Sequence, residues 1–185
     1  GALQVKEAYP DGILIFILPP SLEELKGIVS MTQKTMGEVA NVACNAEQLL
    51  AMRETANQIP VADEVLTFAM TLISATHPDS ECASEAAKKY VRLGSSPRGG
   101  QALISAAKVL ALMNGRFNVS YSDVASLAFP VLRHRMKMNF EAIAERVSPD
   151  EVIRMILTEV CKKCNVRLDA GILNTAETGA NKKNK

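Results

Sequence analysis

The sequence predicts a mainly α-helical protein, and three observations carry that prediction. Nearly half of the 185 residues (48%) are apolar, with Ala, Leu, Val and Met dominant, aromatics at 4% and no tryptophan, a mixture that packs helices through aliphatic side chains. Apolar residues recur at 3.6-residue spacing in several separate segments. Most of these segments open on a Ser or Asn with an acid or amide three residues later, the mark of a capped helix start.

Bulk properties bound the function. The length suits one medium domain, or one domain with appendages, and is enough to bury a core. The net charge is +1 with both signs interspersed, so the body of the chain offers no face for nucleic acid; only the tail is locally basic. The longest apolar run, Ile13 to Pro20, is far short of the ~20 residues of a membrane span, and the start has no secretory pattern. A soluble, cytoplasmic protein without a membrane span is expected.

Residues 1–9 carry a helix-like pattern, and Pro10-Asp11-Gly12 makes a turn. Ile13-Leu14-Ile15-Phe16-Ile17-Leu18 reads as a strand buried on both faces. Pro19-Pro20 ends it, and Ser21 with Glu24 forms a capping box for a short helix to about Lys26. The first 26 residues thus form a helix-strand-helix fragment, and residues 27–45 read as a linker holding at most a strand or short helix.

Asn45, boxed by Gln48, caps a helix over 46–57 that packs through Leu49, Leu50 and Met52. Ile59-Pro60 interrupts, and a second helix over 62–76 places Val65, Leu66, Ala69, Leu72 and Ile73 on one face. His77-Pro78-Asp79 closes it. Residues 79–93 are a polar excursion with a helical island around 81–89. The helix over 120–132 opens on a Ser120–Asp123 box, buries Val124, Leu127 and Ala128, and should kink or end at Pro130. The last helix opens on Ser148-Pro149-Asp150-Glu151 and buries Val152, Ile153, Ile156, Leu157 and Val160. Residues 161–185 are polar and lysine-rich, and a disordered tail is expected there.

The organising stretch is Gly94-Ser95-Ser96-Pro97-Arg98 with the helix it launches, 99–114, which turns Leu103, Ala106, Ala107, Leu110 and Leu112 or Met113 inward and ends on Asn114-Gly115 in a left-handed cap. Ser96 can cap with its side-chain oxygen, and Pro97 suits the first helical position. Arg98 then leaves from the first turn, where free N–H groups and the helix dipole already favour an anion. An arginine there reads as a phosphate sensor, or as an ordinary surface residue in a structural ion pair. Gly99 and Gly100 cost about 1 kcal/mol each relative to alanine, so something must approach them closely. Arg133-His134-Arg135 begins a strip of alternating basic and apolar residues that reads as a solvated edge or as a partner-docking surface. Cys161-Lys162-Lys163-Cys164 supplies half of a zinc site at best, so no metal is expected and the thiols read as reduced and structural.

Two families are resembled. Gly1-Ala2-Leu3-Gln4-Val5-Lys6, the turn, the strand and Pro19-Pro20-Ser21-Leu22-Glu23-Glu24-Leu25 look like an internal segment of guanylate kinase, over about residues 1–26. The phosphate-binding GxxxxGK[ST] loop of that family does not occur in this sequence, so no functional residue is carried over from it. Ile59-Pro60-Val61-Ala62-Asp63-Glu64-Val65, Val91-Arg92-Leu93-Gly94-Ser95-Ser96-Pro97-Arg98, Pro130-Val131-Leu132-Arg133-His134-Arg135 and Val147-Ser148-Pro149-Asp150-Glu151, in that order, resemble the C-terminal helical lid of MoxR-type AAA+ ATPases over about residues 36–160.

That resemblance implies a helical bundle of the AAA+ lid type over 46–160, with Arg98 as the sensor-2 arginine that reaches the terminal phosphates of ATP. It also implies ATP and Mg2+ as cofactors of the full-length parent, a hexamer built with the AAA+ core and neighbouring subunits, and client proteins that are remodelled, with von Willebrand factor A domain proteins as companions. Walker A and Walker B do not occur in the sequence, so no cofactor and no ATP hydrolysis are expected of this chain alone. Two other functions remain open from sequence: a helical interaction module that docks partners through Arg133, His134 and Arg135, and a remnant of an enzyme phosphorylating GMP with ATP.

Overall fold

The computed structural model describes residues 20–33 and 43–173. They fall into two compact units, divided between Glu54 and Thr55.

In the smaller unit, α1 (Leu22–Gln33) starts on the expected box: the Ser21 N–H donates to Glu24 Oε2 at 2.7 Å and the Glu24 N–H to Ser21 Oγ at 3.3 Å. It does not stop at Lys26 but runs through Gly27, around which an added Cβ would meet nothing. A glycine in open space costs helix propensity, about 1 kcal/mol, without forcing a break. Asn45 and Gln48 cap α2 (Ala46–Asn57) reciprocally at 2.8 and 2.9 Å. Leu49, Leu50 and Met52 do not pack inward as expected and are exposed; the apolar residues of α2 form no single stripe, and only Ala56, in its last turn, is buried. The predicted strand over 13–18 lies outside the described residues. The strands found among the described residues are instead two short mid-chain ones, a correction to the N-terminal placement.

The larger unit is a helical bundle in which α3 (Asp63–Ala75), α5 (Pro97–Met113), α6 (Tyr121–Leu132) and α8 (Pro149–Lys163) pack on one another around Phe68, Leu72, Leu103, Leu132, Ile153, Ile156 and Leu157. Each such side chain contributes about 1.5–3 kcal/mol by leaving water. The α8 prediction holds residue by residue, since Val152, Ile153, Ile156, Leu157 and Val160 are all buried. On α3 the core face is Val65, Phe68, Ala69, Leu72 and Ile73; Leu66 points outward, and Phe68 takes its place with its ring edge-on to Tyr121, centroids 5.4 Å apart. On α5 Leu103 and Ala107 are buried, whereas Ala111 completes the stripe and Met113 is exposed.

Short elements close the bundle. Ser84 caps α4 (Glu85–Tyr90) by accepting from the Ala87 N–H at 3.0 Å. β1 (Val91–Leu93) pairs antiparallel with β2 (Lys137–Met138), Val91 opposite Met138, and α7 (Phe140–Ala144) follows from an Asn139 cap. Pro130 sits inside α6, which ends two residues later at Leu132. The expected tail is corrected over 161–173: α8 continues to Lys163, and Val166, Leu168 and Ile172, the last on α9 (Ala170–Leu173), pack against the core because their apolar spacing survives among polar neighbours. Residues 174–185 lie outside the described residues. No described helix is long and apolar enough to cross a membrane.

The start of α6 carries a buried charge. Gly115 adopts the left-handed conformation (φ +68°) that the α5 cap requires, and Arg116, turned back by it, donates to Asp123 Oδ2 at 2.7 Å and also reaches Oδ1. Asp123 is 3% exposed and closes the capping box with Ser120. Burial pushes its carboxyl pKa up, but the Arg116 hydrogen bond and the Ser120 N–H and hydroxyl outweigh that and hold it below the usual value. A lowered native pKa means that stability is fully present above the unfolded value near 3.9 and is lost as pH falls through the native one. Asp123→Ala is expected to cost about 3 kcal/mol at pH 7, combining loss of the cap with loss of the ion pair. Urea unfolding at pH 7 and pH 3 checks this: the wild-type advantage over the variant should shrink at the lower pH, and an equal gap at both would refute the assignment.

Candidate functional site

The site forms where β1 hands the chain to α5. Gly94 sits against the end of α3, where an added Cβ would stand 2.7 Å from Thr76 O, Thr76 Oγ1 and His77 Cγ. Ser95, fully buried, is held at both ends of its backbone. Its N–H donates to Thr76 Oγ1 at 2.9 Å, and its carbonyl accepts from His77 Nε2 at 2.8 Å. A carbonyl only accepts, so Nε2 carries the proton. The Thr76 hydroxyl in turn donates to Ile73 O at 2.6 Å, which completes the α3 terminus.

Ser96 is the N-cap of α5 by its backbone, but its hydroxyl makes no cap hydrogen bond, contrary to expectation. The Gly99 N–H instead donates to Ser96 O at 2.8 Å, a tightened first turn that leaves the side chain no third-position donor. Pro97 takes the first helical position as expected. The two glycines that follow do permit close approach, and what approaches is the chain itself. A Cβ on Gly99 would collide with Ser95 Oγ and lie 3.2 Å from Arg135 Cδ, and one on Gly100 would lie 2.9 Å from Met70 Cε.

Ser95 Oγ is buried with no hydrogen-bond partner among the described residues. A buried hydroxyl left unpaired costs about 1–3 kcal/mol, so Ser95→Ala is expected to leave stability unchanged or raise it. It should also relieve the clash of Gly99→Ala, giving a positive coupling in a double-mutant cycle read by thermal unfolding. Strict additivity would contradict the packing.

Arg98 is exposed in the first turn of α5, and no hydrogen bond or ion pair to another described residue engages its guanidinium. That turn contains no acid, whereas α1, α3, α4, α6 and α8 each place Asp or Glu there. The positive end of the α5 dipole is therefore uncompensated and has a second positive charge beside it, an arrangement that favours an anion.

Arg133, His134 and Arg135 are turned largely inward. Arg133 makes a two-pronged pair with Asp150 in the first turn of α8, Nε to Oδ1 at 3.0 Å and Nη2 to Oδ2 at 2.9 Å. His134 is buried, and Arg135 donates from Nη1 to Val131 O and to His134 Nε2, both at 2.7 Å. The strip thus braces the turn after α6, and the stem of Arg135 lies against Gly99, beside Arg98. Burial, with a smaller effect of Cys164, pushes the Cys161 thiol up to about 11, so it stays protonated at neutral pH. No group of three or more potential metal ligands occurs among the described residues.

Sequence reasoning missed Thr76, His77 and the Arg116–Asp123 pair. Nothing local marks a Thr-His dipeptide at a helix end, because its partners lie 18 or 19 positions away.

Comparison with known proteins gives a family. The AAA lid domain model matches residues 83–156, from the residue before the α4 cap to the middle of α8. Chaperone MoxR1 of Mycobacterium tuberculosis is 30% identical over 162 residues, 86% of this chain and 43% of that protein. A crystal structure of a Cytophaga hutchinsonii protein described as an ATPase aligns with a TM-score of 0.71 at 26% identity, over 82% of this chain and 47% of its own. Guanylate kinase of Oceanobacillus iheyensis is 36% identical over 100 residues, 52% of this chain and 48% of that enzyme. The chain spans less than half the length of each of these relatives. Helical architecture, family model and full-domain alignment coincide on the bundle that presents Arg98, and the chain therefore carries a C-terminal AAA+ lid-type helical domain related to the MoxR-family ATPases.

Proposed function

We propose that this domain is the lid of a MoxR-type AAA+ ATPase and that Arg98 meets the terminal phosphates of ATP, which the ATPase core holds with Mg2+. The observation that carries the reading is an exposed guanidinium, with no partner among the described residues, on a first turn without acids. A guanidinium offers paired N–H donors that match two phosphate oxygens, and α5 adds its dipole in the same direction. Charge building on the phosphates would be met by donors already in place, with no reorganisation during the reaction.

The lid then follows the nucleotide state of the core and passes that state on as movement, which a cytoplasmic hexamer uses to remodel client proteins, including partners with von Willebrand factor A domains. Turnover belongs to the assembled ATPase, whose core holds the nucleotide. In the full-length protein, a non-hydrolysable ATP analogue with Mg2+ is expected to slow amide exchange at residues 98–100. Protection confined to the core, with residues 98–100 exchanging as in the nucleotide-free protein, would count against the reading.

A further inference from the structure

We propose that His77, together with Thr76, is a positioning residue for Arg98, aiming its guanidinium from the end of α3. This rests on the lid reading above and adds to it the part of the fold that sets the geometry. Two consecutive residues grasp one peptide unit on each side of Ser95, Thr76 Oγ1 taking its N–H at 2.9 Å and His77 Nε2 donating to its carbonyl at 2.8 Å. Thr76 and Ser95 are both fully buried, so neither bond has water as a ready substitute. Arg98 follows three residues later, after a proline that fixes φ, and Gly94 and Gly99 on either side leave no free volume for another path. The stem of Arg135 closes the opposite side at Gly99.

The direction in which Arg98 leaves the bundle is therefore dictated by the C-terminus of α3 rather than by α5 alone. Any rotation of α3 against α5 moves the arginine, which gives the bundle a mechanical link to the nucleotide. A displacement of about 1 Å at a group that stabilises charge costs on the order of 10²-fold in rate, so partial loosening should cost about 10-fold.

The test is steady-state ATP hydrolysis by the full-length ATPase carrying His77→Leu, His77→Gln and Thr76→Ser, each alone and combined with Arg98→Ala. His77→Leu should lower kcat about 10-fold, with KM for ATP changed less. His77→Gln, which keeps a side-chain N–H donor, and Thr76→Ser, which keeps the hydroxyl, should recover most of that loss. In the Arg98→Ala background His77→Leu should have no further effect, because the group it aims is gone. If His77→Leu leaves kcat unchanged, or lowers it by the same factor with and without Arg98, the positioning role is overturned. If His77→Leu fails to fold, the glutamine variant decides: the role requires it to be folded and near wild-type in kcat, and a folded glutamine variant with the leucine-sized loss expected above overturns it. Should Arg98→Ala itself leave turnover intact, it is the lid reading that falls, so the two failures are distinguishable.

Discussion

Gly94→Ala is expected to destabilise the helical domain by about 3 kcal/mol, although glycine-to-alanine exchanges in ordinary backbone are usually neutral or favourable. Gly94 has no left-handed φ to protect; the cost is wholly steric. Its Cβ would stand 2.7 Å from the Thr76 carbonyl oxygen, a backbone atom that no rotamer change removes, and at the same distance from Thr76 Oγ1 and His77 Cγ. Relief requires the loop to lift off α3. That breaks the two bonds that hold Ser95, each contributing about 1 kcal/mol, and leaves buried polar groups behind. For a domain of this size the loss corresponds to a fall in Tm on the order of 10 °C, measurable by circular dichroism. A fall under 2 °C would mean that the loop is not pressed against α3. On the lid reading proposed above, the same substitution should also lower ATP turnover, since the displaced loop carries Arg98.

Much of the fold is legible in the sequence because its signals are local. The Ser21–Glu24, Asn45–Gln48, Ser120–Asp123 and Ser148–Glu151 boxes all form, each needing only residues three apart. The α8 stripe is right at every position because period alone decides which face is buried. Expectations fail where a distant partner decides. Periodicity cannot tell which face of α2 meets a neighbour, and Leu49, Leu50 and Met52 are exposed in consequence. Leu66 and Phe68 exchange roles on α3 because Tyr121 offers an aromatic edge that the α3 sequence does not reveal. The pairing of Arg133 with Asp150, 17 positions later, is likewise not readable from the basic strip.

The site divides in the same way. Arg98 and Pro97 are readable from a five-residue string, whereas the Ser96 hydroxyl loses its capping role to the tightened backbone turn. The residues that hold the string in place, Thr76 and His77, are invisible until the end of α3 is brought against it.

On the lid reading proposed above, Arg98→Ala is expected to cut ATP turnover by about 10³-fold in the full-length protein, the range seen when an arginine facing transferring phosphates is removed. The side chain is exposed, engages no other described residue and lies outside the core, so stability should change by less than about 0.5 kcal/mol. A large kinetic effect without a stability effect separates phosphate recognition from structural support. Arg98→Lys keeps the charge but loses the paired donors, and should fall between wild type and alanine. The decisive measurement is kcat for ATP hydrolysis by the Arg98→Ala protein, compared with wild type at matched Tm and matched assembly. A loss of two to three orders of magnitude is predicted, and wild-type turnover would contradict the assignment of this domain as a nucleotide-sensing lid.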